Sequence, residues 1–282
     1  MSKKKLFIRI LFGLSSLGLF LFSAVKVVSI LLDYKRSQDL YKGLNDNFTK
    51  KNTASTTDIT TSEDTIIETR HQTIEYGDDE LPTCVTKEEP LVPAPIEIDW
   101  DGLKAINEDI VGWIYVEALP QISFPLVQGV DDFEYVHLTY DRQTSRAGCI
   151  YISSLCKDDM SSPTTIVYGH NMNDGSMFSP LYTHRGDGTF DENPYFWILT
   201  PEKTRRYEMV TIFQGYKGSD ASRVFGGFDE TFEAYGQEML RRNTFLSQAG
   251  TLEKDDKLAL LISCVPKTYD RTFMFGKCIQ EN

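Results

Sequence analysis

The feature that most constrains this chain is residues 6–32, LFIRILFGLSSLGLFLFSAVKVVSILL. Such a stretch must satisfy its own backbone hydrogen bonds if it leaves water, which only a helix does within one segment. At about 1.5 Å per residue it spans about 40 Å as a helix, enough to cross a bilayer with some tilt. Arg9 and Lys26 lie near its ends, where long cationic side chains reach the headgroups. A cleavable signal peptide is the alternative. It would have a shorter apolar region and small residues before the cut. Here Phe22 stands directly ahead of Ser23 and Ala24, so an uncleaved anchor is expected over residues 6–32. The lysines at positions 3–5 favour a cytoplasmic N-terminal tip, residues 1–5.

Charge divides the chain along the same line. The net charge is −12, while residues 1–36 hold seven Lys/Arg against one Asp, which leaves −18 on the remainder. A body this acidic argues against nucleic acid as a partner. The five cysteines, Cys84, Cys149, Cys156, Cys264 and Cys278, cannot all pair internally and lack the spacing of a disulfide-stapled miniature. With four histidines and no CxxC or HExxH, the sequence has no zinc signature.

Residues 33–50 are charged and read as a helical stalk. Residues 51–95, rich in Thr, Ser, Glu and Pro, read as a flexible linker, with Cys84 an incidental exposed thiol inside it. The folded domain is expected over residues 96–282. It opens with a short helix capped by Asp99 and carrying Leu103, Ile106 and Ile110 at helical spacing. Strands are expected at WIYVEAL, ISFPLVQG, GCIYIS, TTIVYGH, RRYEMVTIFQGY, KLALLISC and TFMFGKCI, with Pro125 marking an edge or a bulge. Pro180 limits GSMFSPLYTH to a short helix. The best helix follows Asp229, with Phe232, Tyr235, Met239 and Leu240 on one face. Strands dominate and helices fill the connections.

Three residues carry candidate chemistry. Cys264 ends a continuous apolar run that reads as a central strand buried on both faces, and the end of such a strand holds a side chain rigidly where core meets solvent. Taken alone, a buried structural thiol is the competing reading. His170 ends TTIVYGH and leads into a polar loop, a position from which an imidazole can pair with a thiol. His137, His184 and His71 have less defined surroundings. Arg271 opens the final strand. If the last two strands are neighbours, it returns beside Cys264, where its cation would favour a thiolate or an oxyanion. Cys149 and Cys278 fall within strand-like runs and are expected in the core. Cys156 has polar neighbours and is expected to be accessible.

The chain resembles the sortases, membrane-anchored cysteine transpeptidases of Gram-positive bacteria, and within them class B. The resemblance rests on YGHNMNDGSMF (168–178) with its histidine at His170, on LLISC (260–264) ending at Cys264, and on Arg271, supported by FPLVQGVDDFEYV and GCIYIS. A helix before the first strand, a long helix over 229–247 and the lack of an apolar segment after the last strand match class B. The chain departs from that class at Ile262-Ser263, where Ser-Thr is common, and at Pro266, both beside the expected substrate groove.

The resemblance implies a mainly β fold, an eight-stranded barrel, with no metal or organic cofactor. It implies acyl transfer: Cys264 attacks the carbonyl after a threonine of a sorting signal, His170 handles the proton, Arg271 binds the oxyanion or substrate backbone, and an amine of a peptidoglycan precursor resolves the thioester. Ser263 would line the substrate groove. Implied partners are surface or pilin proteins bearing sorting signals, and the membrane. The implied place is the outer side of the cell membrane, on a single-pass anchor. Three alternatives remain open at this point: a pilin-polymerising sortase, a cell-wall hydrolase or protease with the same dyad, and a non-enzymatic tethered adhesion domain.

Overall fold

The computed structural model describes residues 3–52, 71–74, 84–87, 91–218, 220–242, 253, 255–265 and 268–282. Most of the expected linker, Pro266, and the expected helix beyond residue 242 lie outside them. The chain forms two units, Met1–Gly43 and Leu44–Asn282. The first is almost all of helix α1 (Lys3–Phe48). Its apolar side chains, Phe7, Phe12, Phe20, Phe22 and Leu32 among them, are exposed. This helix is long and apolar enough to cross a membrane.

The second unit begins with the last turn of α1. Leu44 is buried there, and the Asn45 amide donates to the Ser123 carbonyl at 2.9 Å. Strand β1 (Thr49–Lys51) pairs with β4 (Ile96–Ile98). Between them, β2 (His71–Ile74) and β3 (Cys84–Lys87) form an antiparallel ladder within the stretch expected to be unstructured.

Helix α2 (Trp100–Ile106) is capped as its sequence demands, with the Asp99 carboxylate accepting from the Gly102 amide at 3.0 Å. It stops at Ile106, so Ile110 belongs not to this helix but to the first barrel strand. That strand is β5 (Ile110–Val116), followed by β6 (Ser123–Val127), β7 (Ile150–Ile152) and β8 (Thr164–Gly169). After the short helix α3 (Ser179–Thr183), with its proline in the first turn, come β9 (Tyr195–Leu199) and β10 (Thr204–Tyr216). Helix α4 (Glu230–Arg241), β11 (Leu258–Cys264) and β12 (Asp270–Glu281) complete the chain.

The eight strands β5–β12 close into a barrel in the order β10-β12-β11-β8-β7-β6-β5-β9. Strand β9 carries no element in the sequence reading above, yet it closes the barrel by pairing with both β5 and β10. Six of the eight pairings are antiparallel. The two exceptions are β6 with β7 and β8 with β11. Pro125 pairs in register with Trp113 on the β5 side, whereas β7 joins only at Leu126. Pro125 therefore sits where β6 is still an edge, the place a residue without an N–H is tolerated.

The core is aromatic. Trp113, Trp197, Phe196, Tyr207, Phe273 and Phe275 are fully buried. The indole N–H of Trp113 is satisfied by Ser123 Oγ at 3.0 Å, as burial of that group requires. LALLISC lacks alternation because both of its faces are covered. Six of the seven residues of β11 are buried, and α3 packs against β11 and β12. Helix α4 packs on β10. Asp229 Oδ1 caps it by accepting from the Thr231 and Phe232 amides, and Phe232, Tyr235 and Met239 face inward.

Candidate active site

The register of three strands builds the site. In β8 and β11, Ser263 pairs with Gly169, so both strands leave the sheet at the same end. Continuing that register by one residue sets His170 beside Cys264. Strand β12 runs antiparallel to β11 and pairs Arg271 directly with Cys264. Side chains opposite each other on neighbouring strands share a face, about 5 Å apart at Cβ. The hairpin that returns the chain is tight, with the Val265 amide donating to the Asp270 carbonyl at 3.1 Å. The expectation that the last two strands are neighbours thus holds.

These residues line a cavity of about 360 Å³, together with Asp132, Phe133, Val136, Tyr151, Tyr168 and Ile262. Ser263 and Gly169 border it as well. Ser263 is buried, and its hydroxyl has no hydrogen-bond partner among the described residues. It is the main chain of Ser263 that alternation turns toward the cavity face carried by Cys264.

His170 is held from its main chain and its ring. Gly169 precedes it because a Cβ there would come within 2.5 Å of Phe178 and 2.6 Å of Ile150. The His170 carbonyl accepts from the Phe178 amide at 2.9 Å, which closes the NMNDGS loop. Nε2 lies 2.7 Å from the Val136 carbonyl. A carbonyl oxygen only accepts, so Nε2 carries the proton and Nδ1 is left to exchange one. Val136 is itself fixed. The Cys149 amide donates to the Tyr135 carbonyl at 3.2 Å and the Ser145 amide to the His137 carbonyl at 3.0 Å. Gly148, at φ 56°, lies against the Val136 carbonyl, where no side chain fits. The Tyr135 hydroxyl donates to Asp109 at 2.6 Å and accepts from Asn107 at 2.8 Å.

Burial holds the His170 imidazole below its ordinary value of 6.5. The Val136 hydrogen bond opposes this, and His137 and Arg271 add to it. Burial also pushes the Tyr168 phenol up to about 12 and raises that of Tyr151, so both remain donors at neutral pH. Their rings stack at 5.2 Å across β7 and β8. The side-chain amide of Asn171 donates to the Cys264 carbonyl at 2.8 Å and ties the histidine loop to the end of β11. Asp132 accepts from the Ser153 hydroxyl and from the amide and hydroxyl of Ser154.

Of the other thiols and imidazoles with described side chains, all but His137 lie elsewhere. Cys149 is buried. Cys156, expected to be accessible, is buried beneath its polar neighbours, and burial pushes its thiol up to about 11. Burial likewise pushes the Cys278 thiol up to about 12. His184 binds Asp187 at 2.7 Å and is not part of this cavity. His137 is the histidine that sequence reasoning undervalued, since its ring stacks on His170 with centroids 5.8 Å apart. Val136 acts through its carbonyl, so no side-chain type could have flagged it.

The chain is 28% identical over 171 residues to sortase B of Listeria monocytogenes, covering 60% of this chain and 68% of that protein. It is 25% identical over 168 residues to sortase B of Staphylococcus aureus, covering 58% and 67%. The crystal structure of Clostridium perfringens sortase B superposes with a TM-score of 0.59 at 27% identity, covering 64% of this chain and 99% of that one. In sequence and in fold the chain is similar to class B sortases. No protein-family model matches the sequence. Like those structures, the chain has a closed eight-stranded barrel.

Two outcomes follow from this geometry. Gly169→Ala forces Phe178 or Ile150 to move and is expected to destabilise the protein by about 1–3 kcal/mol. Urea denaturation measures this, and an unchanged midpoint would show that the close approach is not needed. The pH dependence has a defined sign. The folded value of His170 is depressed, so its contribution to stability is complete above the ordinary value of 6.5 and is lost as pH falls below it toward the folded value. His170→Gln is expected to flatten the fall in melting temperature on acidification through that window. An equally steep fall in the variant would place the dependence on other groups.

Proposed function

We propose that this protein cleaves a C-terminal sorting signal of exported proteins and joins the new carboxyl group to a cell-wall amine through a thioester on Cys264. The observation that carries this reading is the convergence of His170, Cys264 and Arg271 on one cavity from three adjacent strands. The Cys264 thiolate attacks the carbonyl carbon after a threonine of the signal. The new C–S bond gives a tetrahedral oxyanion, which the Arg271 guanidinium binds with its forked donors. The C–N bond then breaks, and the leaving amine takes its proton from Nδ1 of the His170 imidazolium. An amine of a peptidoglycan precursor next attacks the thioester and gives its proton to Nδ1. The C–S bond breaks, and the thiolate returns as the amide forms.

Ser263 contributes its main chain to the groove wall. No cofactor enters these steps. Residues 96–282 form the catalytic domain, residues 33–95 a stalk and linker, and residues 6–32 a single-pass anchor with its basic tip, residues 1–5, in the cytoplasm. The catalytic domain then lies outside the membrane of a Gram-positive cell, within reach of surface or pilin proteins bearing sorting signals. The length and exposed apolar surface of α1 support the anchor.

The test is an assay of the full chain in detergent with a library of five-residue sorting peptides, with and without a glycine or diamino-acid nucleophile. An amide product that requires both the amine and Cys264 is expected. Free acid alone despite added amine would replace transpeptidation with hydrolysis. Amide formation that survives Cys264→Ala would remove the thioester route.

A further inference from the structure

The reaction as proposed assigns no role to His137, although the fold presses it against the general acid. Its ring lies parallel to that of His170, with 9° between planes and centroids 5.8 Å apart. It directly follows Val136, whose carbonyl holds Nε2 of His170, so one short segment supplies both the hydrogen bond and the stacked ring. That segment is a 3-10 turn, Glu134–Val136, and His137 is its C-terminal cap. The main chain of His137 is pinned by the Ser145 amide, so the stacking does not rest on a free loop. The side chain is exposed.

We propose that His137 is a positioning residue for His170: its ring fixes the orientation of the His170 imidazole, and its protonated form opposes protonation of His170. The proposal rests on the reading of His170 as the acid and base of the reaction. Two cationic rings in parallel at this separation repel. The direction of the His170 shift agrees, since His137 and Arg271 both push it down. The other charged or titratable groups lining the cavity around His170 are Arg271 from β12, Cys264 from β11, Tyr168 from β8, Tyr151 from β7, and Asp132 from the loop before β7. Asp132 accepts from Ser153 and Ser154, and the two phenols stay neutral; among the described residues, His137 and Arg271 are the cations that push His170 down. Arg271 is permanently charged.

The opposing charges keep His170 available as a base further into the acid range than a lone histidine would be.

The experiment follows the Cε1–H resonance of His170 by NMR through a pH titration of the full chain in detergent, with His170→Ala to assign it. His137→Phe keeps a stacked ring without charge. His137→Lys keeps a charge without the ring. The His170 midpoint is expected to rise by on the order of half a pH unit in His137→Phe and to lie lower in His137→Lys than in His137→Phe. The acid limb of the transpeptidation pH profile should move with it. Identical midpoints in wild type and both variants overturn the proposal, and so does a shift of the same size and direction in both variants. The function reading fails separately: full activity in His170→Ala removes His170 from the chemistry, while the order of midpoints still judges His137.

Discussion

The parallel pairing of β8 with β11 is the interaction on which the rest of the site depends. Parallel neighbours end at the same edge of a sheet, so a histidine just past one strand and a cysteine at the end of the other become neighbours with no loop rearrangement. The Ser263–Gly169 register fixes that adjacency, and the antiparallel return of β12 adds Arg271 on the far side of Cys264. A slip of one residue in either ladder would turn a reactive side chain to the opposite face. Both faces of β11 are buried, which makes such a slip costly.

What surrounds these residues restrains them through main-chain groups more than through side chains. The Val136 carbonyl orients His170, and the Asn171 amide grips the Cys264 carbonyl. Two glycines, Gly148 and Gly169, allow the necessary close approaches. Behind the 3-10 turn, Tyr135, Asp109, Asn107 and Arg142 form a polar network that reaches back to the end of α2. The short helix before the barrel thus contributes to the placement of the His170 imidazole, which it does not touch.

Much of this was legible in the sequence, and the limits are physical ones. LALLISC announced a strand covered on both faces, and Asp99 and Asp229 announced the starts of two helices, because those signals are local. Strand β9 went unread. Its five residues acquire their role only from β5 and β10, which are distant in sequence. Ile110 kept helical spacing with Leu103 and Ile106 but was claimed by pairing with Val127. Cys156 looked exposed from its neighbours, yet its thiol donates to the Thr164 carbonyl at 3.4 Å inside the fold. The three residues singled out for their side-chain chemistry, His170, Cys264 and Arg271, do line one cavity. The Val136 carbonyl and the His137 ring, which come to His170 from another segment, left no such signal in the sequence.

The central claim is that this convergence of strand ends makes Cys264 the reactive thiol of the folded chain. Its most direct measurement is the rate at which a methanethiosulfonate modifies each cysteine under native conditions, resolved by peptide mass mapping. Cys264 should label first. Cys149, Cys156 and Cys278 should lag by at least about tenfold, Cys149 because it is buried and Cys156 and Cys278 because their thiol values are raised. Labelling of Cys149 or Cys278 at the rate of Cys264 would contradict the account.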